Sequence, residues 1–261
     1  MNKSSNTTDK QQDILKLLYR FRFLKRSQIQ QLLHHKDYKT INLWLKDLIE
    51  KEYIQKRDIK FPYKIAYHLA PNGISYFKKE LEYESKFLQK YYREQDRSLS
   101  FISSSLLIAD IYLDLKNRDS EKVNFKVYIK SDYPIHKHAD FLLALKPNAY
   151  ITQTTTDNER EYFVEVVSHQ PKERLRQRIK NYLYSFQGRE WEEETDRDFP
   201  TMLIICQRDE LLDYIKSYTK RKLAQFDEER PIIHLATIEK VSQAGITGDI
   251  WNSLNNRKHE Y

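Results

Sequence analysis

Two carboxylates stand out for their surroundings. Asp140 opens the apolar run of "KHADFLLAL", and Glu165 sits in the middle of "EYFVEVVSHQP". Acids on neighbouring strands can offer oxygens to a divalent cation such as Mg2+, and a bound Mg2+ can activate water for attack on a phosphodiester. That chemistry also wants a cation beside the second acid. Two residues after Glu165, on the same side of an extended strand, stands Val167. Lys172 and Lys180, just downstream, are the cations that could move into the gap. The candidate catalytic set is Asp140, Glu165 and Lys172, with Asp140 and Glu165 as metal ligands. Asp140 could instead pair with His136, Lys137 or His138. Glu165 needs a partner in any case, because burying an unpaired carboxylate costs on the order of several kcal/mol. Arg174 is a candidate partner.

A second set of residues suits phosphate and base contacts. In "KTINLWLKDLIEKEYI", Ile41, Leu45, Leu48 and Ile49 fall on one helical face, and Lys39, Asn42, Leu43 and Lys46 on the other. Thr40 borders that second face. Lysines reach phosphates, and an asparagine amide can read adenine. Downstream, Lys56, Arg57, Lys60 and Lys64 cluster around a turn containing Pro62. The expected DNA-binding residues are therefore Lys39, Thr40, Asn42, Leu43, Lys46, Lys56, Arg57, Lys60 and Lys64.

The elements that must position these groups are legible in outline. Asp9 is the expected cap of a first helix with Ile14, Leu17, Leu18 and Phe21 on its stripe. A short second helix carries Ile29, Leu32 and Leu33, with Ser27 as its cap, and Asp37 caps the third. "YIQKRDI" and "KIAYHLA" read as a hairpin, and "PNGISYFKKELE" as a further helix. Three helices, a two-stranded wing and a helix is the order of a winged helix-turn-helix, whose third helix enters the major groove. Residues 83 to 97 read as a connecting helix. Beyond them come a helix ending near Asn117, then "VNFKVYIKS", "ADFLLAL" and "EYFVEVVS" as strands. A basic helix "PKERLRQRIKNYLYSF" follows, then strand "TMLIICQ", helix "ELLDYIKSYTKRKLAQF" and strand "PIIHLATI". This implies an α/β chain (α+β overall): a winged helix over residues 1–82, a connecting helix over 83–97, a mixed-sheet domain over 98–240 and a tail over 241–261. The run α-β-β-β-α-β resembles the core of PD-(D/E)xK nucleases, where the aspartate opens the second core strand and the glutamate lies on the third.

Composition narrows the function classes. Four glycines among 261 residues form neither a Walker pattern nor GxGxxG, which speaks against nucleotide-driven chemistry. The single cysteine, Cys206, excludes an internal disulfide. No signal core or membrane-length apolar run is present, so a soluble cytoplasmic protein is expected. Residues 1 to 93 hold 20 Lys/Arg against 10 Asp/Glu, while the remainder holds 25 against 28. A basic first part beside a slightly acidic second part points to nucleic acid as partner of the first.

The order "LKRSQIQQLL", "LWLKDLIEKEYI", "YHLAPNG", "HADFLLAL", "VEVVSHQP", "RIKNYLYSF" resembles the replication-relaxation family, from about Gln11 to Ala236. That resemblance implies a part in replication or transfer of plasmids and other mobile elements. It places Asp140 and Glu165 at the family's acidic positions. His138 stands where the family has proline, and Val167 where it has a third acid. The resulting expectation is a DNA-binding protein with a degenerate nuclease-like second domain. It would bind double-stranded DNA as a homodimer, and recruit replication or conjugation proteins. The alternatives are a Mg2+-dependent endonuclease using Asp140 and Glu165, and a winged-helix transcription regulator.

Overall fold

The computed structural model describes residues 7–59, 65–80, 85–168, 171–226 and 229–254. The chain divides into two units, residues 1–113 and 114–261.

In the first unit, α1 (Asp9–Phe21) is capped by Thr8, one residue ahead of the expected Asp9. Thr8 and Gln11 exchange hydrogen bonds in a capping box. Ile14, Leu15, Leu18 and Phe21 make its buried stripe. α2 (Arg26–Leu32) has no side-chain cap at its first position, and the expected Ser27 cap is replaced by the Gln28 carbonyl, which accepts from the Lys25 amide at 2.9 Å. α3 (Tyr38–Glu50) starts at Asp37, whose carboxylate accepts from the Lys39 and Thr40 amides at 2.9 and 3.0 Å. Ile41, Leu45 and Leu48 are buried beneath it. At roughly 1.5–3 kcal/mol per buried side chain they hold its orientation far more firmly than the exposed Lys46–Glu50 pair, worth a few tenths at about 3.7 Å. β1 (Ile54–Asp58) and β2 (Ile65–Leu69) form an antiparallel hairpin, and Leu24 adds a bridge to Tyr67. α4 (Pro71–Glu80) follows. The element order is the one expected of a winged helix. The hairpin tip, with Lys60 and Lys64, lies outside the described residues.

The stretch expected as one connecting helix is broken. It contains α5 (Ser85–Leu88) and a 3-10 turn over Gln89–Arg93. The reason is local anchoring in the first unit: Tyr91 is buried and donates to the Tyr19 carbonyl at 2.6 Å, and buried Glu94 is ion-paired to Arg22. α6 (Leu99–Arg118) then carries the boundary between units.

The second unit holds a six-stranded sheet in the order β3-β4-β5-β6-β7-β8. β3 is Val123–Ile129. The segment after it departs from the expectation of a strand: Ala139–Leu145 is a helix, α7, and the second strand is β4 (Ala149–Thr155). "ADFLLAL" lacks β-branched residues and buries Phe141, Leu142 and Leu145 at helical spacing. "AYITQTT" holds the β-branched and aromatic residues that favour a pleated surface. β5 (Glu159–Val167), α8 (Lys172–Gln187), α9 (Glu190–Thr195), β6 (Thr201–Cys206), α10 (Asp209–Leu223), β7 (Ile233–Thr237), α11 (Ile238–Ala244) and β8 (Asn252–Ser253) complete the unit. β3, β4 and β5 pair antiparallel, β5, β6 and β7 parallel, and β8 antiparallel to β7. β6 and β7 are buried along almost their whole length, as strands covered on both faces by helical crossovers require. With α7 inserted between β3 and β4 and α9 after α8, the expected α-β-β-β-α-β order is kept, with β4 as its second strand. β8 shows that the expected tail contributes to the sheet; two residues carry no periodic signal. Among the described residues no helix is long and apolar enough to cross a membrane.

Candidate active site and nucleic-acid interface

Alternation along β5 sends Glu161, Phe163, Glu165 and Val167 to the face beneath α8. Phe163 and Val167 join the core with Leu175, Ile179 and Tyr182 of α8. Glu165 is 8% exposed and cannot reach bulk water freely. Its Oε2 accepts from Arg178 Nη2 at 2.9 Å and from the Tyr182 hydroxyl at 3.2 Å. Arg178 also donates to the carbonyls of Leu145 and Lys146, at the C-terminal end of α7. One guanidinium thus joins β5, α8 and the negative end of a helix dipole. Burial alone would lower the Arg178 pKa, but Tyr182 and Glu165 outweigh it and raise it. Burial, with Glu165 second, holds the Tyr182 phenol well above its usual range, so it stays a donor. The hollow beside this group is about 10 Å3. A water needs about 10–15 Å3, and Mg2+ usually keeps several waters, so no hydrated ion fits there.

Asp140 lies in the exposed first turn of α7. Arg178 binds Glu165 at the other end of that helix, about 9 Å away along the axis at about 1.5 Å per residue. Among the described residues no group of three His, Cys, Asp or Glu is placed to hold a metal. Lys172 is exposed, with its ammonium over the Tyr214 ring at 4.7 Å. The cation that meets Glu165 is an arginine one turn beyond the expected Arg174, which is exposed. Arg178 could have been found from its spacing: it is four residues before Tyr182 and next to Ile179, at the edge of the buried stripe.

A second inward acid was not foreseen. Glu161 Oε1 accepts from the Tyr150 hydroxyl at 2.6 Å and from Arg197 at 2.7 Å, and Arg197 also reaches Glu159 at 3.1 Å. Hydrogen bonds to Glu161 and Glu159 raise the Arg197 pKa. Each inward carboxylate of β5 therefore meets an arginine. Cys206 is buried, and burial pushes its thiol up to about 12, which removes it as a nucleophile.

In the first unit Lys39, Asn42, Leu43 and Lys46 are exposed on the side of α3 opposite Ile41, Leu45 and Leu48. Leu43 is 66% exposed, an apolar group of the kind that meets a thymine methyl. Thr40 is half-buried, and its hydroxyl is committed to Asp37 at 2.6 Å. That bond, followed by the Lys39 amide, lowers the Asp37 pKa. Lys56 is exposed on β1, whereas Arg57 is half-buried and donates to the Gln95 carbonyl at 2.6 Å.

Residues 15–200 match the family model described as replication-relaxation. No curated protein matches the sequence. Among solved structures the chain is similar to restriction endonuclease FokI, at 15% identity and a TM-score of 0.32, over 93% of this chain and 46% of that one. The chain thus spans about half the length of that protein.

Proposed function

The chain belongs to the replication-relaxation family, and from that membership we propose that it is a DNA-binding protein acting in plasmid or mobile-element replication or transfer. The first unit serves as a winged helix, with α3 as the helix that enters the major groove of duplex DNA. The observation that carries this reading is the exposed face of α3, where Lys39, Asn42, Leu43 and Lys46 stand clear of the core while their neighbours are buried. Lysines supply the salt-dependent phosphate term, and Asn42 and Leu43 supply base contacts. Lys56 extends the phosphate contacts onto the hairpin. Homodimers on paired half-sites and recruitment of replication or conjugation proteins belong to the same proposal.

The second unit acts in this reading as a nuclease-like scaffold. Glu165 is a structural carboxylate, neutralised by Arg178, in the position where a catalytic acid would stand. The experiment is an electrophoretic shift with the full chain and duplexes tiled across its own replicon, at about 50 mM salt. A complex is expected on a preferred duplex. Lys56→Gln should weaken binding to all duplexes alike, and Asn42→Ala should relax sequence preference by about 1–3 kcal/mol at one base pair. No complex with any duplex would sink the proposal.

A further inference from the structure

The second unit is nearly neutral, with twenty-four basic and twenty-five acidic residues, but its charges are not mixed evenly. α8 carries Lys172, Arg174, Arg176, Arg178 and Lys180 against the single acid Glu173. Arg178 is consumed by Glu165. The other four have no ion-pair partner among the described residues. Lys172, Arg176 and Lys180 follow one another at i, i+4 spacing on one ridge, where like charges repel. Lys172 and Arg174 sit in the first turn, at the positive end of the helix dipole, where cations are unfavourable. Glu173 is the one acid of α8 in that turn.

Lys172 and Arg176 face α10, and Lys180 is half-buried. Lys172 lies over the Tyr214 ring at 4.7 Å, and Arg176 over Tyr214 and Tyr218 at 5.6 and 5.9 Å, with Arg176 Nε donating to the Tyr214 hydroxyl at 2.5 Å. Stacking on these rings holds the aliphatic stems while the charged heads stay exposed. Arg221, exposed and one turn past Tyr218, continues the row on α10. The three α8 cations recur about every 6 Å over about 12 Å, against one phosphate per about 3.4 Å along a DNA strand.

We propose that the seam between α8 and α10 is a second DNA-binding surface, which grips the phosphate backbone of duplex DNA without reading its sequence. This rests on the reading of the protein as a DNA binder and adds a contact in the unit not assigned one. It gives the nuclease-like scaffold a task that needs no metal.

The test measures anisotropy of labelled duplexes with the full chain, from about 50 to 200 mM salt. The proteins are wild type, the triple variant Lys172→Gln/Arg176→Gln/Lys180→Gln, and the charge-preserving pair Lys172→Arg/Lys180→Arg. The triple variant should bind all duplexes about 10-fold more weakly at the low-salt end, with a salt slope shallower by about 2–3. The charge-preserving pair should match wild type. A photo-crosslinking residue at exposed Gln177 should attach to DNA. If wild type binds and the folded triple variant keeps the same slope and affinity, the inference fails and the α3 reading stands. If wild type binds no duplex, the α3 reading and this inference both fail. Should the triple variant melt early, the crosslink decides: none from Gln177 at saturating DNA overturns the proposal.

Discussion

Glu165 shows how a single side chain changes the meaning of an acidic position. Its bond to Arg178 is largely removed from water, so deleting one partner strands the other. Such deletions cost about 3–5 kcal/mol when fully buried. Arg178 keeps 21% side-chain exposure, so Arg178→Met should cost about 2–4 kcal/mol in denaturant unfolding. Arg178→Met combined with Glu165→Met should cost less than the sum of the single changes, because an apolar pair leaves no unpaired charge. Additive losses would show that the two side chains act independently. The sequence foretold that Glu165 needs a partner, from its place in an apolar strand. The choice of Arg178 over Arg174 follows from the stripe of α8: Arg178 stands beside Ile179 and four residues before buried Tyr182, whereas Arg174 is exposed.

At the scale of elements, hydrophobic period decided most assignments, and local composition decided the exceptions. The stripes of α1, α3 and α8 and the apolar runs of β5, β6 and β7 were legible because their burial repeats. "ADFLLAL" has the apolar content of a strand, but its Ala and Leu residues and its spacing favour a helix, which moves Asp140 from a strand to the first turn of α7. The breaks at Gln89–Arg93 and the pairing of β8 depend on partners distant in sequence, so no local pattern announces them. Gly73 marks a place where one element lies close to another. A Cβ there would stand 2.2 Å from the Tyr53 carbonyl oxygen, which accepts from the Ala70 amide at 3.0 Å. Alanine would gain about 1 kcal/mol of helix propensity within α4, but the clash with backbone costs about 1–3 kcal/mol. Gly73→Ala should therefore lower the melting temperature of the chain, and an unchanged or higher value would show that α4 shifts freely.

For the whole molecule, the charge distribution is legible in the sequence, and the order of its short motifs resembles the family to which the chain belongs. What the sequence left open was whether Asp140 and Glu165 converge. In the structure one is exposed at the start of α7, and the other is tied to its end. Wild type, Asp140→Ala and Glu165→Ala should accordingly give the same background in plasmid nicking with Mg2+ or Mn2+. Metal-dependent nicking abolished by both substitutions would restore the endonuclease reading.

The guanidinium of Arg178 touches a carboxylate, a phenol and two carbonyls, a set of oxygens that elsewhere would suit a dissolved ion. Here the counter-ion is carried on a covalent tether, present at fixed stoichiometry and unable to exchange. The joint between β5, α7 and α8 is therefore indifferent to chelators and to the divalent-ion supply of its surroundings, and it is complete as soon as the chain has folded.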